Sequence, residues 1–127
     1  MRKINKLFSS EEAGHCPTHM QRAMSLIGDM CTLLIVVSLL SGPRRFGELL
    51  EAVGNVSPKT VSQRLKRLEE IKIVKRCAYA EIPPRVVYHL TEKGQALADI
   101  IEAIRQFGET YLVDDETSSN ASSQPRH

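Results

Sequence analysis

FGELLEAVGNVSPKTVSQRLKRLEE, residues 46–70, holds two helical patterns separated by a turn. Phe46, Leu49, Leu50 and Val53 follow helical spacing, and Gly54-Asn55 closes that short helix. Ser57 is a good N-cap, and Pro58 takes the first helical position, where a missing N–H costs nothing. Val61, Leu65 and Leu68 then recur at helical spacing as a narrow apolar stripe. The side chains facing away from the stripe are Lys59, Thr60, Ser62, Gln63, Lys66 and Arg67. The outer face of this helix is therefore basic, with short polar residues between the charges.

Toward the N-terminus, Cys31–Leu40 (CTLLIVVSLL) is apolar nearly all round and is expected to be the buried helix, capped by Thr32 and ended by Ser41-Gly42-Pro43. Before it, His19–Ile27 forms a short helix with Met20, Ala23, Met24 and Ile27 on one side, ended by Gly28. Residues 1–14 read as a flexible arm. Toward the C-terminus the period changes after Ile71. Val74–Ala80 and Arg85–Leu90 read as strands of a hairpin joined by Glu81-Ile82-Pro83-Pro84, with Val86, Tyr88 and Leu90 on one face of the second. Thr91 then caps a long helix of roughly 20 residues, about 30 Å, with Leu97, Ile100, Ile101, Ile104, Phe107 and Tyr111 on one broad face. The remainder, 113–127, is acidic, Ser-rich and aperiodic, and reads as a disordered tail.

The totals agree with one domain, over residues 15–112. The chain has 127 residues, 42% hydrophobic and 25% charged, with no Trp, and single cores typically take roughly 100–150 residues. That composition excludes a fibre, a membrane protein and a disulfide scaffold. The ten-residue apolar run is half of the roughly 20 residues a spanning helix needs. No signal peptide is expected, and three cysteines without zinc-ribbon or CxxC spacing suit a reduced cytoplasm.

Net charge is only +2, which does not announce a nucleic-acid binder. Its distribution does. Residues 44–76 hold nine basic and four acidic side chains, net +5, while 99–127 hold two basic and six acidic, net −4. A solvated helix face is the plainer explanation of such a block. Three short helices and a hairpin in this order, however, make a winged helix-turn-helix. The expected fold class is α+β, mostly helical: a winged helix-turn-helix with an added C-terminal dimerisation helix. A helix about 10–12 Å across fits the DNA major groove. Lys59, Thr60, Ser62 and Gln63 lie in the first turns of the fourth helix, where base edges are met. Arg44, Arg45, Arg64, Lys66, Arg67 and the wing's Arg85 are expected on the phosphate backbone, adding affinity with little sequence preference.

The chain resembles the HxlR-type winged-helix transcriptional regulators. The resemblance rests on Cys16-Pro17, Leu26-Ile27-Gly28, the run Gly42-Pro43-Arg44-Arg45-Phe46-Gly47-Glu48-Leu49, Ser57-Pro58-Lys59 with Gln63-Arg64-Leu65, and Leu68-Glu69. It continues through Pro83-Pro84-Arg85-Val86, Tyr88, Leu90-Thr91 and Gly94, and covers about residues 16–112. It implies a homodimeric DNA-binding regulator that reads a pseudo-palindromic operator, with the fourth helix in the major groove and the terminal helix building the dimer. It also suggests that Cys16 senses oxidants or electrophiles, as a cysteine at this Cys-Pro position does in some relatives; a structural cysteine is the alternative. Two departures stand out. Cys31 takes a place where the family usually has Trp, so packing there is expected to differ. Lys72 takes the place of a usual Gly after the recognition helix, so that helix is expected to end differently.

Other chemistry finds little support. No phosphate-cradling Gly loop, HExxH or nucleophile elbow is present, so no enzyme, catalytic residue or cofactor is expected. His15-Cys16-x-x-His19 lacks a fourth donor nearby, so no metal is expected either. The terminal apolar stripe could instead cover the domain's own core, and the alternative function is a winged-helix protein-interaction module that binds no DNA. No membrane partner is expected, and the effector is not indicated.

Overall fold

A computed structural model describes residues 16–113. The expected arm over 1–14 and the tail from Asp114 onward lie outside the described residues. The elements are α1 (Thr18–Ile27), α2 (Met30–Leu40), α3 (Phe46–Val53), α4 (Pro58–Glu70), β1 (Val74–Tyr79), β2 (Arg85–Leu90), α5 (Glu92–Gln95) and α6 (Ala98–Tyr111). This is a mostly helical α+β fold: a helix-turn-helix, a two-stranded wing and a C-terminal helix.

The apolar helix α2 is the centre. Cys31, Thr32, Ile35, Val36 and Leu39 are buried, and α1, α3, α4, β2 and α6 all pack on it. Its cap differs from expectation. Asp29, not Thr32, is the N-cap, and Thr32 lies three residues in, donating its N–H (2.9 Å) and hydroxyl (2.5 Å) to Asp29 Oδ2. A carboxylate suits this end because it meets free N–H groups and the positive end of the helix dipole. α1 meets α2 at a 76° bend. It turns Leu26 and Ile27 to the core while Ala23 and Met24 stay exposed, a different face from that expected. Among the described residues no single helix is long and apolar enough to cross a membrane.

α3 and α4 match the pattern of their sequence. Leu49 and Val53 of α3 and Val61, Leu65 and Leu68 of α4 are buried against α2. Gly54, at φ 77°, makes the turn between them in a region that L side chains rarely occupy. At the other end of α4, Lys72 adopts φ 69°. Its N–H bonds to Glu69 O (3.1 Å), and the Ile73 N–H bonds to Leu68 O (2.9 Å). Leu68 and Ile73 are both buried. This is a complete Schellman ending built on a lysine. The expected different ending is therefore corrected: the left-handed turn is kept without its glycine.

The wing is antiparallel, with Val74 opposite Leu90 and Tyr79 opposite Arg85. Val87 is buried as well as Tyr88, so β2 is covered on both faces and not only on the face of Val86, Tyr88 and Leu90. Arg44, in the loop before α3, exchanges both backbone hydrogen bonds with Tyr88 (3.0 and 2.8 Å). That bridge ties the wing to the start of the helix-turn-helix.

The terminal helix departs most from the sequence reading. Thr91 caps only α5, accepting from the Gly94 N–H at 3.0 Å. The chain then tightens through i→i−3 bonds, Ala96 N–H to Lys93 O and Leu97 N–H to Gly94 O, before α6 begins. Gly94 sits against β1's entrance: a Cβ there would overlap the Ile73 carbonyl oxygen and lie 2.9 Å from Leu90 Cδ2. Holding the backbone that close to the wing anchors α5. The backbone stays right-handed helical through Ala96 and Leu97, and Leu97 is buried in the core. α6 has 14 residues, about 21 Å, in place of one continuous helix of 30 Å.

Candidate nucleic-acid interface

Ser57 Oγ accepts the Thr60 N–H at 3.1 Å and so starts α4 where the sequence places it. With Val61, Leu65 and Leu68 turned inward, Lys59, Ser62, Gln63, Lys66 and Arg67 are exposed on the opposite side. Among the described residues, Lys59, Lys66 and Arg67 form no ion pair. Thr60 is half-buried, and its hydroxyl accepts from Ser57 Oγ (3.1 Å), so part of its hydrogen-bonding capacity already belongs to the cap.

The cations around α4 divide into two kinds. Arg45 is exposed, and its backbone N–H is held by the Glu48 carboxylate at 2.8 Å. Arg44 is carried by the bridge to Tyr88, with its guanidinium on the Pro43 carbonyl (3.1 Å). Arg85 lies 4.2 Å over the Tyr79 ring and pairs with Glu81 at 2.9 Å. The Arg85 guanidinium, with Arg45 as a further positive charge, holds the Glu81 carboxyl below the usual carboxylate range. Loop and wing cations thus share one neighbourhood. Arg85–Glu81 is an exposed pair of the kind that contributes little stability and exchanges readily.

Arg64 is different. It points toward α2 and pairs with Asp29, Nε to Oδ2 at 2.8 Å and Nη2 to Oδ1 at 3.4 Å. The Arg64 and Thr32 hydrogen bonds lower the Asp29 carboxyl to about 2. Sequence reasoning expected Arg64 on the DNA backbone and overlooked Asp29. The two are 35 residues apart, and only the folded packing of α2 on α4 brings them together.

The α6 face splits too. Leu97, expected in a dimer interface, is a core residue at 8% exposure, and Ile101 packs half-buried beside it. Ile100, Ile104, Phe107 and Tyr111 are exposed, with the Phe107 and Tyr111 rings 5.2 Å apart. Leu112 and Val113 prolong this apolar surface past the end of the helix, where no periodicity in the sequence marks them. On the far side Arg105 pairs with Glu102 and Glu109, an ordinary solvated face.

All three cysteines are free. Cys16 is half-exposed immediately before Pro17, the N-cap of α1. Cys31 is buried; its burial, and then the charge of Asp29, push its thiol above the ordinary range. An inert core thiol is the result. Cys77 is half-buried in β1. Among the described residues no His, Cys, Asp and Glu cluster could hold a metal ion.

The sequence model of the HxlR-like helix-turn-helix family matches residues 26–116. An uncharacterised HTH-type transcriptional regulator of Synechocystis is 38% identical over 102 residues, covering 80% of this chain and 74% of that protein. The HTH-type transcriptional regulator YodB of Bacillus subtilis is 37% identical over 102 residues, covering 80% of this chain and 90% of YodB. The structure of reduced YodB superposes with a TM-score of 0.68 at 36% identity, over 76% of this chain and 94% of that one; YodB is also known in diamide-treated and quinone-bound forms. The redox regulator HypR in its oxidized form gives a TM-score of 0.68 at 28% identity, over 75% of this chain and 96% of HypR. The Synechocystis protein and YodB are HTH-type transcriptional regulators, and HypR is a redox regulator.

Proposed function

The chain belongs to the HxlR-like helix-turn-helix family, and on that premise we propose that it is a homodimeric, sequence-specific DNA-binding regulator of transcription in the cytoplasm. The observation that carries the reading is the division of α4. One side is fixed by Val61, Leu65 and Leu68 in the core, and the other offers Lys59, Ser62, Gln63, Lys66 and Arg67 to solvent. In the major groove Gln63 suits adenine, Ser62 and Thr60 suit several bases, and Lys59 suits guanine. Arg44, Arg45, Lys66, Arg67 and Arg85 neutralise phosphates on either side, and they set register and not sequence. Exposure of Ile100, Ile104, Phe107 and Tyr111 on α6 supports a second copy as the cover of that face. A two-fold dimer presents two α4 helices, and hence reads a pseudo-palindromic operator with half-sites one or more helical turns apart.

Cys16 is the thiol that would answer oxidants or electrophiles. It is half-exposed beside the start of α1, whereas Cys31 is buried and Cys77, equally half-exposed, lies in strand β1. YodB in its diamide-treated form and the redox regulator HypR in its oxidized form support a response to oxidants. One titration tests both parts. Duplex-DNA affinity is measured across salt concentrations with reduced protein, oxidant-treated protein and Cys16→Ser. We expect log affinity to fall linearly with log salt, about 0.9 per phosphate contact. We also expect oxidant to change the affinity of the native chain but not of Cys16→Ser. Affinity that ignores salt would favour a protein-interaction module, and an unchanged oxidant response in Cys16→Ser would move the sensor elsewhere.

A further inference from the structure

We propose that Asp29 and Arg64 form a positioning pair that helps to set the axial rotation of α4, so that the half-exposed Arg64 acts on DNA specificity through Asp29 and not as a phosphate clamp. The inference rests on the DNA-binding reading above. The pair spans the two elements that matter. Asp29 is the N-cap in the two-residue turn between α1 and α2, and Arg64 stands on α4 at the border between its buried stripe and its exposed face. Beside the pair runs a cleft of about 300 Å³, lined by Ser25, Leu26, Gln63 and Arg67 as well as Asp29 and Arg64. Two residues assigned to DNA contact, Gln63 and Arg67, therefore flank the guanidinium.

The Asp29–Arg64 pair adds a directional restraint to the apolar packing that holds α4. Contacts of Val61, Leu65 and Leu68 with α2 are apolar and carry little direction. A two-pronged arginine–carboxylate pair is directional, and this one uses both carboxylate oxygens. A helix with side chains is about 5–6 Å in radius, so a rotation of about 10° moves a side-chain tip by about 1 Å. That is enough to spoil a bidentate contact to a base edge, for which donor–acceptor distances range over only about 0.5 Å.

The same geometry argues against a clamp. Were Arg64 to swing to a phosphate, Asp29 would lose its counter-charge and repel the duplex it then faced. Asp29 Oδ2 also holds the Thr32 N–H and hydroxyl, so the carboxylate cannot follow the arginine.

Three variants separate the roles. Asp29→Asn keeps an N-cap acceptor, since Asn caps as well as Asp, and removes the charge together with one of the two oxygens that accept from Arg64. Arg64→Gln removes the fork, and Arg64→Lys keeps the charge without it. Each is compared with the native chain for affinity to a selected operator and to random duplex, across salt concentrations, together with its thermal midpoint. We expect the operator-to-random ratio to fall about 10-fold or more in all three, in line with losing one good base contact. The salt slope should stay unchanged in Arg64→Gln and steepen by about 0.9 in Asp29→Asn, where Arg64 is released to the phosphates. The double variant Asp29→Asn with Arg64→Gln should lose no more ratio than either single one. An Arg64→Gln slope flattened by about 0.9 with the ratio intact would make Arg64 a clamp and overturn the proposal, as would an unchanged ratio in Asp29→Asn. Should Arg64→Gln fail to fold, Asp29→Asn, whose cap is preserved, decides alone. A native chain with neither salt nor sequence dependence would overturn the DNA-binding reading itself, and this inference with it.

Discussion

Lys72 shows how a single residue can be out of character and still hold its place. A non-glycine residue in the left-handed region costs about 1–2 kcal/mol, yet Lys72 sits there at φ 69°. The structure around it over-determines the turn. The Thr91 hydroxyl donates to its carbonyl (2.5 Å), the Lys93 ammonium donates to the Ile71 carbonyl (2.7 Å), and Leu68 and Ile73 close the apolar side. Free carbonyls at the end of α4 are thus met by side chains from beyond β2. Lys72→Gly should raise unfolding stability by about 1 kcal/mol, somewhat offset by the freer unfolded chain, and raise the thermal midpoint by about 4–8 °C. A midpoint that falls would mean that the lysine side chain makes a contact outweighing the strain. The residue was legible as an anomaly in the sequence. Its outcome was not, because the compensating donors lie 19 to 22 residues away.

Among the elements, the proposed function gives α4 and α6 separate tasks, and each can be tested by its own variants. On α4, Gln63→Ala should relax sequence preference while leaving affinity for random DNA nearly unchanged. Lys66→Ala should weaken all duplexes alike and flatten the salt slope by about one unit. Equal losses on operator and random DNA for both variants would refute the division between reading and clamping. On α6, Ile104 lies in the exposed apolar row with Ile100, Phe107 and Tyr111. Ile104→Asp should give a folded monomer at micromolar concentration in equilibrium sedimentation, against a dimer for the native chain. A native chain that sediments as a monomer would contradict the dimer. Local elements were largely legible because their patterns are local: Ser57-Pro58 starts α4, and the alternation in Arg85–Leu90 marks β2. The break at Ala96–Leu97 was hidden because nothing in that stretch forbids a helix. Beside it lies the close approach of Gly94 to the Ile73 carbonyl, a contact between distant segments that no local pattern reveals.

Across the whole molecule, the charge asymmetry acquires a geometry. The cations of residues 44–76 do not form one patch of equivalent charges: Arg64 faces inward to Asp29, Arg44 is tied to the wing, and Lys59, Lys66 and Arg67 stand free on α4 among the described residues. Counting charge along the sequence marks the region but does not distinguish a paired cation from an unpaired one. An inward salt bridge and an outward clamp look identical until Asp29 and Arg64 are placed. The apolar face of α6 was overcounted for a similar reason, since Leu97 and Ile101 serve the core and leave a shorter exposed row. The central claim is that two copies of α4 read a two-fold DNA site. Selection of bound sequences from random duplex DNA tests it most directly. The account predicts enrichment of a pseudo-palindrome whose half-sites lie one or more helical turns apart, about 34–36 Å per turn, and loss of preference within each half-site for Gln63→Ala. Enrichment of no sequence, or of a site without two-fold symmetry, would contradict it.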